Sequence, residues 1–202
     1  MIKRFLKSRW TYTIIRVAGF SFLVGYVVLT GDWHISIYWA LAFPAIALFV
    51  SWLIIRLKLS DRFPKLNDYV LIPRSNQGAE TALSDDEWAL RQAKYLASGM
   101  QGASILLAPS EDGLICVPIL MAGLGLISSV LGGMAFGVLH LGRFTYLECI
   151  GKSIYYTLVC VLILPHGLVT VALGHLLLDS IGLITLKVAK RNLSRNAVSS
   201  RS

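Results

Sequence analysis

Charge is scarce in this chain. Of 202 residues only 15% are Asp, Glu, Lys or Arg, and the acids number 11 against 19 bases. With 55% apolar residues and a mean hydropathy of +0.66, this is too little charge for the surface of a soluble domain of that length. Cysteine is also sparse. Cys116, Cys149 and Cys160 form no CxxC pair, which excludes a disulfide framework and a thiolate zinc site. HExxH and a His pair at i, i+4 are absent as well. Internal repeats and low-complexity tracts are missing beyond the tail "NAVSSRS".

What is present is apolar sequence in long runs. Several windows reach the ~18 residues needed to cross a hydrocarbon core of about 30 Å. The expectation is an all-α, polytopic transmembrane bundle of about six membrane helices. The bases cluster at Lys3–Arg9, at Arg56–Lys65 and at Lys187–Arg201, flanking the apolar runs. Such clusters mark the cytoplasmic side of a membrane protein. Both termini are therefore expected in the cytoplasm, with the chain in the inner membrane of a bacterium. No basic face with interleaved aromatics lies outside these flanks, so nucleic acid is not an expected partner. The N-terminal run resembles a signal peptide but lacks a small-residue cleavage site, and reads as a retained helix.

The periodicity places helices at about Thr11–Thr30, Ile35–Ile55, Tyr146–Leu164 and Leu168–Val188. Pro44 is a candidate kink, and Trp33, Tyr38 and Trp39 suit the far interface. The polar stretch 56–87 reads as a cytoplasmic loop, and "SDDE" (Ser84 to Glu87) as a capping box opening a helix that runs to Pro109. "PSEDG" at 109–113 reads as a break. The run 113–141 is too long for one comfortable span, with Gly123 and Gly125 offering a turn. Four units follow: a two-helix membrane hairpin (1–67), a loop with a connecting or membrane helix (68–110), a catalytic core (111–188) and a basic tail (189–202).

Seven ionisable residues lie in or against apolar sequence: Glu111, Asp112, His140, Glu148, His166, His175 and Asp179. Each costs about 2.5–3.5 kcal/mol at mid-bilayer on insertion scales, so an interior-facing functional site is the first reading. A structural polar tie between helices is the plain alternative. His166 follows Pro165 at a turn and suits an interface. Glu148 lies near Arg143 and Lys152 and reads as an interfacial ion pair. His175 and Asp179 share one helical face. Two histidines and an acid on separate helices point to hydrolysis: a carboxylate activates water, and paired donors meet an oxyanion.

The order of these residues resembles the CAAX-protease and bacteriocin-processing (CPBP) intramembrane proteases. Phe136 and His140 match the family's FxxxH motif in "SSVLGGMAFGVLHL". His175 and Asp179 match its HxxxN or HxxxD motif in "LPHGLVTVALGHLLLD", 35 residues further on. The resemblance covers residues 105–182. The family's EExxxR motif has two imperfect counterparts. "DEWALR" offers Asp86, Glu87 and Arg91, and "EDGLIC" offers Glu111 and Asp112 with Cys116 in the arginine position. Glu111 stands 29 residues before His140 whereas Asp86 stands 54 before it, and the shorter spacing is the family's. Glu111 is therefore favoured as general base, with Glu87 the alternative.

The resemblance implies a glutamate peptidase acting on a membrane-associated peptide or protein precursor within the lipid bilayer. Glu111 and His140 would hold the attacking water. His175 and Asp179 would stabilise the oxyanion, Asp179 by orienting His175 or, protonated, by donating directly. Asp112 would be a secondary acid. No metal or other cofactor is implied. Cysteine at 116 removes the motif's cation, which motivates a second reading as a catalytically inactive CPBP-like scaffold or immunity-type protein. A third reading uses the histidines and carboxylates to bind haem or zinc.

Overall fold

The computed structural model describes residues 9–67, 109–141 and 145–199. Within them the protein is all-α. Six main helices run in order: α1 Arg9–Thr30, α2 Ile37–Arg56, α3 Ser110–Ala122, α4 Leu126–Leu139, α5 Tyr146–Leu162 and α6 Leu168–Ser199. A single turn of helix at Leu59–Arg62 and 3₁₀ turns at Pro64–Asn67 and Leu164–His166 complete the set. The loop through residue 87 (beyond Asn67), the "SDDE" capping box and the helix after it lie outside the described residues, as does Arg143.

The apolar runs become helices close to the expected bounds, with three differences. "SEDG" does not break the chain; it forms the first turn of α3, with Pro109 at its N-cap, whose carbonyl accepts from the N–H groups of Asp112 (3.1 Å) and Gly113 (3.2 Å). The 113–141 run divides at Gly123–Gly125, where Gly123 adopts φ +93°, a conformation that favours glycine. The last helix runs on to Ser199, through the segment read as a basic tail.

Among the described residues one helix, α2, is long and apolar enough to cross a membrane: 20 residues at a mean hydropathy of 2.0. It passes through Pro44 without a break. Helices α3 and α4 have 13 and 14 residues. At 1.5 Å per residue each reaches about 20 Å, short of the ~30 Å hydrocarbon core.

Neighbours in sequence are not always neighbours in space. Helix α1 packs chiefly on α3, α2 on α6 and α5, and α4 on α5; α3 also meets α4 and α6. Glycines permit the closest crossings. A Cβ on Gly113 would run into the Gly19 carbonyl, and one on Gly19 into the Ser110 carbonyl, so α1 and α3 touch backbone to backbone at the turn that carries Glu111 and Asp112. Gly133 and Gly137 do the same for α4, resting on Ser153, Thr157 and the Cys149 carbonyl of α5.

Between the helices lies a core of Phe43, Phe136, Tyr156, Val159, Ile163, Leu168 and Val171. At one end Thr170 ties the α6 start to the α2 start. Its hydroxyl accepts from the Ser36 N–H (3.0 Å) and donates to the His166 carbonyl (2.8 Å). His166 stacks on Trp39 with centroids 4.4 Å apart, as suits a structural histidine at a turn.

The glycine crossings generate a contrast. Gly113→Ala should lower stability by about 1–3 kcal/mol, the range for overpacking. Gly25→Ala, whose Cβ meets nothing within 4 Å, should be neutral or slightly stabilising. Thermal unfolding of the two purified variants in detergent checks this; equal midpoints would contradict the backbone contact.

Candidate active site

The site is assembled from the start of α3, the end of α4, one face of α5 and the middle of α6. Glu111 and Asp112 fill the first turn of α3, where the helix dipole favours acids. Successive helical residues point about 100° apart, so the two carboxylates serve different neighbours. Glu111 faces α4. Asp112 faces α5 and α6.

His140 is the residue that ends α4. Its Nδ1 lies 2.8 Å from the Phe136 carbonyl. A carbonyl can only accept, so Nδ1 carries the hydrogen and donates it. The other nitrogen, Nε2, lies 3.6 Å from Glu111 Oε2, and both side chains keep some exposure (13% and 18%). In neutral His140 these two atoms are both acceptors. A water about 2.8 Å from each would donate to both across that gap.

Asp112 has no exposure at all. The Tyr156 hydroxyl donates to its Oδ1 at 2.6 Å, and His175 Nδ1–H donates to Oδ1 and Oδ2 at 3.1 Å each. With the Tyr156 proton committed to Asp112, the Cys116 thiol is left to donate to the Tyr156 oxygen at 3.3 Å. Aromatic rings hold these groups in place. Phe136 stacks on Tyr156 (4.0 Å, 6°) and Phe43 on His175 (5.3 Å, 19°), while Phe136 tilts against His140 (4.6 Å). A carboxylate on Nδ1 settles the tautomer and ring orientation of a histidine and leaves Nε2 as the working atom.

The structure thus brings Glu111, Asp112, His140 and His175 together from three helices. It also revises two expected roles. The carboxylate hydrogen-bonded to His175 is Asp112, from a facing helix, and not Asp179, one turn along the same helix. Asp179 is half-buried one turn along α6. Asp112, expected as a secondary acid, is the hub of the buried hydrogen bonds. The second revision concerns Glu148. Its carboxylate accepts from the Thr145 N–H (2.8 Å) and hydroxyl (3.1 Å), and its own N–H donates to Thr145 Oγ1 (3.3 Å). It closes a capping box at the start of α5; Arg143, one base of the expected ion pair, lies outside the described residues. Glu87, Asp86 and Arg91 lie outside the described residues.

One participant was not singled out from sequence. Tyr156 had a signal: a phenol in an apolar helix needs a buried partner for its hydroxyl. An open apolar groove of about 520 Å³, lined by Gly123, Leu126, Ile127 and Leu131, lies at the other end of α3 and contains none of the expected residues. Among the described residues, no group of three or more His, Cys, Asp or Glu side chains is placed to hold a metal ion. No protein-family model, curated protein or solved structure matches the chain.

The Asp112 hub sets an expected cost. Tyr156→Phe removes a hydrogen bond to a charged group and should destabilise by about 1.5–3 kcal/mol. Thr145→Ala, which removes a cap, should cost about 1 kcal/mol. Chemical denaturation of both variants reads the difference; a Tyr156→Phe protein as stable as the parent would deny Asp112 its role as a tie.

Proposed function

We propose that this protein is a polytopic membrane protein, a bundle of about six membrane helices, and a glutamate-type intramembrane peptidase similar to the CPBP family. The observation that carries the reading is Glu111 Oε2 at 3.6 Å from His140 Nε2, with His140 Nδ1 already donated to a carbonyl. That arrangement calls for a bridging donor, and a water there would be polarised by a carboxylate in a largely water-excluded site.

The membrane setting is supported by strongly exposed apolar side chains beside buried polar ones. Buried positions include Ser110, Asp112, Ser129, Thr170 and His175, while Leu29, Met121, Ile127 and Ile55 are 75–88% exposed. Large apolar side chains exposed to this extent fit a non-aqueous cover. The basic clusters at the ends of the helices would place both termini in the cytoplasm.

In the proposed reaction Glu111 takes a proton from the water as its oxygen bonds to the scissile carbonyl carbon. The carbonyl electron pair moves to oxygen. His175, in its imidazolium form, gives Nδ1–H to Asp112 and presents Nε2–H to that oxyanion. Asp179, one turn away, adds to the field around the same histidine. Collapse of the intermediate breaks the C–N bond, and the proton held by Glu111 passes to the departing amine. The substrate class is a membrane-associated peptide or protein precursor.

A second reading has one observation in its favour. The Asp112–Tyr156–His175 hydrogen bonds satisfy one another, as a purely structural tie between helices would, which suits a scaffold that has lost the chemistry.

The two readings separate on one residue. Glu111→Gln should reduce cleavage of a membrane-anchored peptide library by at least ~100-fold, the lower range for general-base catalysis, while the protein still inserts and folds. Products are read by mass spectrometry after reconstitution in liposomes. Undiminished cleavage in the variant removes Glu111 as base, and no cleavage by the parent protein favours the scaffold.

A further inference from the structure

Asp112 serves two donors, and the distances divide it unequally between them. The Tyr156 hydroxyl lies 2.6 Å from Oδ1. That is the length of an O–H bond to an ionised oxygen, about 2.5–2.7 Å. His175 Nδ1 lies 3.1 Å from Oδ1 and 3.1 Å from Oδ2. A charge-assisted N–H bond to one oxygen measures about 2.7–2.9 Å. The imidazole is therefore the more loosely held partner, and the phenol has the first claim on Oδ1.

That claim is reinforced from behind. Cys116 Sγ lies 3.3 Å from the Tyr156 oxygen, and it is the thiol that donates, since the phenol proton goes to Asp112. A hydroxyl that accepts a hydrogen bond is polarised by it and becomes the better donor. Cys116, Tyr156 and Asp112 are all 0% exposed, so bulk water does not stand in for any of these groups. Stacking on Phe136, at 4.0 Å and 6°, fixes the phenol ring.

We propose that Tyr156, backed by Cys116, is a positioning residue that draws the charge of Asp112 away from His175. Two donors on one carboxylate oxygen compete for it. A phenol with the larger share leaves the imidazole less electron-rich and its Nε2–H the stronger donor. That hydrogen is the one offered to the oxyanion, so the catalytic consequence rests on the peptidase reading. The charge sharing does not, and is measured without turnover.

Nuclear magnetic resonance of the full-length protein in detergent micelles, with isotope-labelled histidine and at one fixed pH, tests it. The His175 Nδ1–H resonance is the one that His175→Gln removes. It should move to lower field in Tyr156→Phe, as Asp112 turns wholly to His175. In Cys116→Ala it should move the same way by less. Thr145→Ala, which weakens α5 only at its cap, should leave it in place. An unmoved resonance in Tyr156→Phe overturns the proposal by denying the competition, and a lost one overturns it by making Tyr156 a mechanical tie. If Tyr156→Phe does not fold, the Cys116→Ala resonance decides by the same criteria. In a parent that cleaves peptide, Tyr156→Phe should lower kcat about tenfold at unchanged KM, the low end for the outer partner of a working histidine. An unchanged kcat there overturns the positioning role. No cleavage by the parent sinks the peptidase reading and leaves the resonance result standing.

Discussion

A carboxylate shut away from solvent has to find its hydrogen bonds inside the protein, and Asp112 finds them on two other helices. Through that one side chain α3 is fastened to α5 by Tyr156 and to α6 by His175. Breaking one partner of such a buried charged group costs far more than a surface contact, because the remaining charge has nowhere to go. The register of three helices is therefore tied to a single position. Glu111, its neighbour in sequence, inherits a defined direction from it.

Close packing makes the tie possible. Hydrogen bonds of 2.6 and 3.1 Å between side chains on different helices hold only where the helices keep a fixed separation and rotation. Gly19 with Gly113, and Gly133 with Gly137, remove the side chains that would keep α1 from α3 and α4 from α5. The aromatic rings of Phe43, Phe136 and Tyr156 then fill the space around the imidazoles. A polar centre enclosed in this way has few rotamers open to it, which is what a reaction depending on tenths of an ångström requires.

On the proposed reading the two acid–histidine pairs divide the labour. Glu111 with His140 keeps partial exposure and a separation of 3.6 Å, which suits a shared water. Asp112 with His175 is dry and fully hydrogen-bonded, the condition for a fixed donor. Adjacent residues in one helical turn can take such different parts only because the helix sends them in different directions.

Much of the fold was legible in the chain. Long apolar runs made helices, Gly123–Gly125 made the turn in the 113–141 stretch, and the apolar setting of His140 and His175 marked them as costly enough to have a purpose. "TYLE" carried a capping box at Thr145 and Glu148 that reading Glu148 as an ion-pair partner overlooked. What sequence could not supply was partner choice. Whether His175 meets Asp179 on its own helix or Asp112 on another depends on the rotation of α3 about its axis. That rotation is set by where Pro109 starts the helix and by the Gly19–Gly113 contact. The same holds for Tyr156, whose bond to Asp112 follows from how α5 lies against α3. Local pattern determines that a residue is helical and buried; which side chain it faces is decided by distances between helices that only the packed bundle defines.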